Sequence, residues 1–328
     1  MEKKIYQYLF GPVPSRRLGI SLGVDLVPHK TCSLNCIYCE CGVTTNLTTQ
    51  RKDYIPTSVI VSELNDYLGK KPRLDFITFS GSGEPTLHSG IGEILGFIRK
   101  KFPDYKTALI TNSTLFHLPE LREEVKDIDV LLPSLDAASE KTFRKINRPD
   151  RKLNIESIIE GLALFNANFN GEMWLEVFIV KGLNDTDAEL TLLREAIHQI
   201  KPNRIQINTL DRPGTEGWVR PVSAAELELI LKKLDWKGEI IARFHAKTQH
   251  ENFDQDTKNA ILQLIKRRPC TVDDLASALG MNFREVNKYL NELVEQNLIN
   301  FENLDRGIFY RLNDKEKINL NKSLSENQ

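Results

Sequence analysis

Seven short apolar runs, rich in β-branched residues, recur along the first three-quarters of the chain with amphipathic segments between them: 19–28, 74–80, 107–112, 130–136, 173–180, 204–210 and 239–244. LDFITFS (74–80) is almost continuously apolar, as a strand must be when helices cover it. The intervening stretches change period. In TSVIVSELNDYL (57–68), Ile60, Leu64, Tyr67 and Leu68 share one face of a helix. IGEILGFIRKKF (91–102) aligns Ile91, Ile94, Leu95 and Ile98, and further helices are expected over 155–165, 189–200 and 223–234. The last opens on Ser223 with Glu226 three residues on, a capping box. Strands that alternate with helices in this way build a parallel sheet. Six such units are too few for a closed eight-fold barrel. The expected class is α/β, as an open or partial (β/α)6 TIM-like barrel.

The pattern stops at HAKTQHENFDQ, which is polar and unpatterned. We therefore divide the chain into a barrel domain over 1–244, a linker over 245–255, a small domain over 256–312 and a disordered tail over 313–328. The small domain reads as three short helices and then two strands around a turn at Asp305-Arg306-Gly307, the order of a winged helix. Thr271 with Asp274 and Asn282 with Glu285 mark helix starts, and Gly280 a stop.

Charge is balanced, with 44 Lys and Arg against 45 Asp and Glu, so no overall field advertises nucleic acid or membrane. No stretch reaches the roughly 20 apolar residues of a membrane helix, and the N-terminus lacks the apolar core of a secretion signal. A cytoplasmic location is expected, where thiols stay reduced.

That expectation bears on CSLNCIYCEC (32–41), which holds four of the five cysteines. Three uses compete: a zinc knuckle, a disulfide pair and an iron–sulfur cluster. Zinc sites usually pair C-x2-C units a dozen or more residues apart, whereas here C-x3-C-x2-C-x-C lies in one loop and Cys39 and Cys41 crowd each other as ligands of one small ion. A larger cluster spreads its thiolates over several irons, and three cysteines leave one iron of four open. Plain buried thiols are the bland alternative.

Cys32-x3-Cys36-x2-Cys39, with an aromatic residue at Tyr38, in the loop after the first strand, and GSGEP (81–85) at the end of the next, resemble the radical S-adenosylmethionine enzymes. GSGEP is similar to that family's Gly-Gly-Glu-Pro motif with Ser82 in place of a glycine. The resemblance covers about three-quarters of the chain and implies the partial barrel of that family. It implies that Cys32, Cys36 and Cys39 hold a [4Fe–4S] cluster whose fourth iron takes the amino and carboxylate groups of S-adenosylmethionine. One electron from the cluster then cleaves the cofactor to methionine and a 5′-deoxyadenosyl radical, which takes hydrogen from a substrate. It implies cofactor contacts from Tyr38, Gly81, Ser82, Gly83, Glu84 and Pro85, with Glu84 orienting the methionine ammonium. Asn112, Ser134 and Asp136, at later strand ends, are cofactor contacts by the same analogy, against the plainer reading of Asn112 and Ser134 as helix caps. An electron donor such as flavodoxin or ferredoxin is implied as a partner.

GPVPSRRLG ahead of the first strand, followed by TCSLNCIYCECG, is similar to a branch related to wyosine-forming tRNA enzymes. Those carry cysteines for a second cluster; this chain has only Cys41 and Cys270 left over. Glu176, inside an apolar strand, is expected to face the interior or find a partner. Asn208, Asp211 and Arg212 are candidates for substrate contact. So are Arg16, Arg17 and Arg148, for an anionic substrate or the cofactor carboxylate, although Arg16 and Arg17 read more simply as surface arginines. Among the scattered histidines only His29 lies beside the cluster loop. Cys41 is expected to play no part in ligation, and Cys270 to pack in the small domain. Residues 256–312 carry eight basic and eight acidic residues, and the third helix has Glu285, Glu292 and Glu295, which phosphates repel. Three functions remain open: a radical enzyme acting on RNA or protein brought by the winged helix, one acting on a small molecule, and an iron–sulfur sensor regulating transcription, which GSGEP disfavours.

Overall fold

A computed structural model of the chain describes residues 6–15, 17–241, 257–281, 283–304 and 306–313. The expected linker (245–255), Arg16, Asn282, Asp305 and the tail beyond Asn313 lie outside these residues.

The first strand, β1 (Leu9–Ser15), runs antiparallel to β2 (Gly19–Val24). The two-residue strands β3 (Thr31–Cys32) and β4 (Asn46–Leu47) pair with each other and pin the two ends of the cysteine loop. From β2 the main sheet continues in parallel through β5 (Phe76–Phe79), β6 (Lys106–Thr111), β7 (Val130–Pro133), β8 (Glu172–Ile179), β9 (Arg204–Thr209) and β10 (Gly238–Ile240). The order is β1-β2-β5-β6-β7-β8-β9-β10, and among the described residues the outer strands β1 and β10 do not pair, so the sheet is open there. Strand β1 departs from the sequence expectation. GPVPS carries two prolines, which an edge strand tolerates because its outward N–H groups need no ladder partner.

Connections carry α1 (Thr57–Leu68), α2 (Ile91–Lys101), α3 (Pro119–Glu124), α4 (Glu140–Ile146), α5 (Ile155–Asn166), α6 (Asp187–Ile200) and α7 (Ala224–Leu234). Helices α3 and α4 were not expected. They have six and seven residues, too few for a helical period to show against the background. The box at α7 forms as its sequence dictates: Ser223 N–H donates to Glu226 at 3.0 Å, and Glu226 N–H donates to Ser223 Oγ at 3.4 Å.

Strand alternation sorts the sheet into two unlike faces. Leu22, Ile77, Phe79, Leu109, Leu131, Leu175, Val177, Ile205 and Ile207 point toward the helices and form the main core. The opposite face is layered. Leu18, Phe76, Ala108, Ile110, Val130, Leu132 and Trp174 form an apolar floor. Above it lie polar groups, Ser21 with Thr78 (2.5 Å between hydroxyls), then Glu176, Gln206 and Asn208. Phe178 and Ile37 cap this layer near the carboxyl ends of the strands.

The C-terminal unit has its own core of Ile261, Ile265, Leu275, Val286, Leu290, Leu293 and Ile299. It comprises α8 (Thr257–Arg267), α9 (Val272–Leu279), α10 (Phe283–Glu295) and an antiparallel pair, β11 (Ile299–Leu304) with β12 (Gly307–Leu312). Thr271 and Asp274 form a capping box at the start of α9, and Gly280 ends it at φ 64°. Cys270 is buried, its backbone paired with Tyr310 at 3.0 and 2.8 Å. Among the described residues, no helix is long and apolar enough to cross a membrane.

Candidate active site

The loop from Asp25 to Gln50 leaves the carboxyl end of β2, where parallel α/β sheets build sites. It is folded by close backbone bonds. Cys39 N–H donates to Cys36 O and Gly42 N–H to Cys39 O, both at 3.2 Å, while Ile37 N–H reaches Ile146 O at 2.9 Å. All five cysteines are free thiols. Three of the loop thiols accept a hydrogen bond from a nitrogen donor, each from a different part of the chain. Asn112 Nδ2 donates to Cys32 Sγ (3.4 Å), Asn147 Nδ2 to Cys36 Sγ (3.5 Å) and Lys30 Nζ to Cys39 Sγ (3.0 Å). Such donors favour sulfur in its charged form. Burial pushes the Cys32 thiol up to about 12 and raises Cys36 well above its ordinary value. Thiols so raised become thiolates only when a cation takes the proton's place. Cys39 differs, held down to about 5 by the hydrogen bond from Cys41 and by the Lys30 ammonium. Among the described residues no three Cys, His, Asp or Glu side chains converge as for a single metal ion. The three-thiol set, with a nitrogen donor on each sulfur, fits a cluster.

GSGEP folds as a turn into a short 3-10 helix, Pro85–Leu87. A Cβ on Gly83 would stand 2.3 Å from Thr31 O and 2.6 Å from Val27 Cγ2, so only glycine allows the turn to lie against the cysteine loop. Lys30 N–H donates to Ser82 O (3.1 Å) and Glu84 N–H to Thr31 O (3.0 Å), so loop and turn are one piece. Glu84 is buried, and both its carboxylate oxygens are engaged by the chain. Thr86 N (3.0 Å), Thr86 Oγ1 (2.6 Å) and Thr111 Oγ1 (2.7 Å) donate to one, and Asn112 N (2.7 Å) to the other. Burial raises its pKa and these donors oppose the rise. Glu84 thus ties the turn to the end of β6.

Asn112 also donates to Ser33 Oγ (2.9 Å) and accepts from Thr114 Oγ1 (2.8 Å), so it joins Cys32 to the β6 end as well as closing its own turn. After β7, Asp136 collects the Tyr38 hydroxyl, Asn147 Nδ2 (2.7 Å) and Phe178 N–H (3.0 Å). Burial lifts its pKa to about 6 against these three donors. The Tyr38 ring stacks on Phe178 with centroids 3.8 Å apart. Cys36, Tyr38, Asn112, Ser134, Asp136 and Asn147 line one cleft, floored by Leu34, Leu135, Phe143 and Ile158. Sequence reasoning passed over Asn147, visible only as the neighbour of Arg148. It also missed Asn184, whose Nδ2 donates to Asp136 O and Phe178 O, both at 2.7 Å. Buried asparagines carry no spacing signal of their own.

The remaining candidates separate. Arg17 is not a surface residue: its guanidinium meets Glu176 and Gln206 (3.3 Å to the latter) on the polar layer of the sheet. Glu176 also accepts from Asn208 Nδ2 at 3.0 Å, so the carboxylate has partners as expected. Arg148 lies outside the cleft in a half-exposed pair with Glu216 at 2.6 Å. Asp211 and Arg212 face the C-terminal unit through Arg306 and Asp274. His88 is a buried core residue bonded to Ile55 O at 2.7 Å.

A model of the Radical SAM superfamily matches residues 26–194. A UPF0026 protein of Methanocaldococcus jannaschii is 32% identical over 320 residues, covering 94% of this chain and 97% of its own length. A protein of Brachyspira hyodysenteriae named GTPase Obg is 34% identical over 307 residues, 93% of this chain; the match spans only 45% of that protein's length. Among solved structures, a radical SAM methyltransferase from Sphaerobacter thermophilus has a similar fold, with a TM-score of 0.50 at 16% identity over 67% of this chain and 65% of that one.

Proposed function

The chain belongs to the radical SAM superfamily and, within it, to the UPF0026 family, and from that premise we propose that Cys32, Cys36 and Cys39 ligate the [4Fe–4S] cluster of a radical enzyme whose substrate is a macromolecule, RNA or protein. A family member works with a [4Fe–4S] cluster, S-adenosylmethionine and a source of electrons, and this chain is such an enzyme. Cys32, Cys36 and Cys39 would hold the cluster, which with bound S-adenosylmethionine would supply radical abstraction of hydrogen. The supporting observation is the set of three separate nitrogen donors, one on each of the three thiols, two of which, Asn112 and Asn147, line the cleft together with Cys36.

The chain's residues have distinct parts in this reading. Lys30, Asn112 and Asn147 stabilise the three thiolates. Gly81, Ser82 and Gly83 bring backbone to the cofactor's amino-acid end, and Glu84 with Pro85 fixes that turn. Ser134 lines the cleft beside Asp136, and Asp136 fixes Tyr38, whose ring and backbone wall off water on the adenosine side. Flavodoxin or ferredoxin is the proposed donor of electrons. The barrel is the partial (β/α)6 type, and the C-terminal unit is a winged helix. Kinship with wyosine-forming tRNA enzymes rests on GPVPSRRLG and the cysteine loop, and the two cysteines left over, Cys41 and Cys270, are too few for a second cluster of their kind.

The test is anaerobic reconstitution with iron and sulfide, then S-adenosylmethionine and a strong reductant, with 5′-deoxyadenosine read by mass spectrometry. Wild type forms it, Cys36→Ala loses cluster and product together, and Cys41→Ala keeps the cluster. Loss of the cluster in Cys41→Ala would overturn the three-ligand assignment. A second reading, a small-molecule substrate with a structural C-terminal unit, has its own support. Arg306, at the β11–β12 turn, is engaged on Asp211 of the barrel rather than presented outward. RNA and protein capture by the full chain and by a chain ending before residue 256 separates the two.

A further inference from the structure

The contact between the C-terminal unit and the main sheet is made of charges, and both of its anchors fall on the cofactor site. At the end of α8, Arg267 Nη1 lies 2.5 Å from Asp25 Oδ2. Its guanidinium covers the Phe10 ring at 3.2 Å, and that ring occupies the space a Cβ on Gly23 would need. Asp25 is the first residue after β2, and its carboxylate presses on the GSGEP turn. A Cβ on Gly81 would stand 1.7 Å from Asp25 Oδ1. That oxygen has no hydrogen-bond partner of its own among the described residues.

The second anchor is Arg212, whose side chain is only 3% exposed. It lies 3.4 Å from Glu40, the residue between Cys39 and Cys41, and 3.1 Å from Asp274 on α9. Arg306 then joins Asp274 (2.6 Å) to Asp211. Acids and bases alternate through this chain of contacts, which fixes one docking register. Neither anchor carries chemistry in the reading above, and a surface tether has no need to bury its charges against a cofactor turn and a ligand loop.

We propose that the C-terminal unit completes the cofactor site, with Arg267 and Arg212 as positioning residues that hold the Gly81–Ser82 turn through Asp25 and the Cys39–Cys41 segment through Glu40. The physical basis is the expense of an unpaired buried charge. Undocking the unit strips Asp25 of its cation, and the carboxylate must then move toward water, taking the turn with it. Coupling of this kind is reciprocal. Docking tightens cofactor binding, and the bound cofactor tightens docking. The proposal rests on the assignment of Gly81–Pro85 to S-adenosylmethionine given above.

The experiment uses the full chain in two states. In cluster-free protein, hydrogen exchange across residues 81–85 reads the positioning alone. Arg267→Met is expected to speed it, Arg267→Lys to restore it, and an unchanged rate in Arg267→Met overturns the proposal. In reconstituted protein, S-adenosylmethionine affinity is measured by equilibrium dialysis, with the electron paramagnetic resonance spectrum of the reduced cluster recorded before and after addition. Arg267→Met is expected to bind about tenfold more weakly, and the cofactor to slow exchange in Val272–Leu279 of wild type. Equal affinity in wild type and Arg267→Met overturns the proposal. Failure of wild type itself to bind overturns instead the assignment of the turn, while the exchange result in cluster-free protein still decides the positioning. Should Arg267→Met not fold, Asp25→Asn makes the same break from the other side with little change of shape. The same faster exchange and weaker binding are expected of it. Arg212→Met is expected to shift the cluster's reduction potential, and an unchanged potential removes the Glu40 anchor from the proposal.

Discussion

The main sheet is covered on one side by its helices and approached from its carboxyl end by the C-terminal unit, and the two contacts are built from opposite materials. The helix layer rests on Ile, Leu, Val and Phe with almost no charge among them. The C-terminal unit docks through Asp25, Arg267, Glu40, Arg212, Asp274, Arg306 and Asp211. An apolar contact gains in proportion to area and tolerates sliding. A contact of buried ion pairs contributes little net stability, yet breaking one pair is expensive, so it defines geometry more than it adds stability. The helix layer therefore makes the fold, and the charged contact sets where the small unit sits.

The largest effect expected lies in the apolar contact. Phe79 is fully buried under the helices, and Phe79→Ala should lower global stability by about 3–5 kcal/mol in urea unfolding. Next comes the charged contact. Arg212→Met leaves Asp274 and Glu40 without their shared cation and should weaken docking by about 3 kcal/mol. Hydrogen exchange in α9 should rise while β5 stays protected. If β5 loses protection equally, the two regions form one cooperative unit and the contrast fails.

Asp136 gives a pH-dependent effect. Its folded pKa of about 6 stands above the ordinary 3.8 because burial outweighs its three donors. Between these values the folded chain holds a proton that the unfolded chain has lost, so stability falls as pH rises through that window and levels off above it. Asp136→Asn should flatten this trend in metal-free protein, seen as a wild-type-minus-variant stability difference that falls from pH 4 to pH 6. The smallest effect belongs to a cap within the C-terminal unit. Thr271→Ala removes a side chain that accepts from Asp274 N–H at 3.1 Å and should cost about 1 kcal/mol, read as a lower melting temperature.

Much of this architecture is legible from period alone. The helix at 57–68 follows from Ile60, Leu64 and Leu68, and the strands at 204–209 and 172–179 from alternation, with Ile205, Ile207, Leu175 and Val177 on one face and Gln206, Asn208 and Glu176 on the other. Strand β1 escaped because its prolines read as loop, and α4 because its seven residues show no period. The cysteine loop and GSGEP were legible because cluster and cofactor chemistry demand rare residues at short spacing. Asn147, Asn184 and Lys30 were not, since each reaches the site from a common residue type at an unremarkable position. Glu189 is a further case. It is buried and accepts from Ala138 N–H (2.7 Å) and Thr142 Oγ1 (2.8 Å), a cap supplied from another helix about fifty residues on.

The sequence by itself determined the alternation of strand and helix, the two capping boxes and the thiol set, because each depends on residues a few positions apart. The tertiary structure alone decided that Arg17 meets Glu176, that Asn112 and Asn147 reach Cys32 and Cys36, and that Arg267 and Arg212 bring a separate unit onto the GSGEP turn and the cysteine loop. Those pairings join residues 80 to 242 positions apart in the chain. No local period encodes them. They exist because the sheet gathers its strand ends at one edge, where a charge removed from water must find its counter-charge or remain outside.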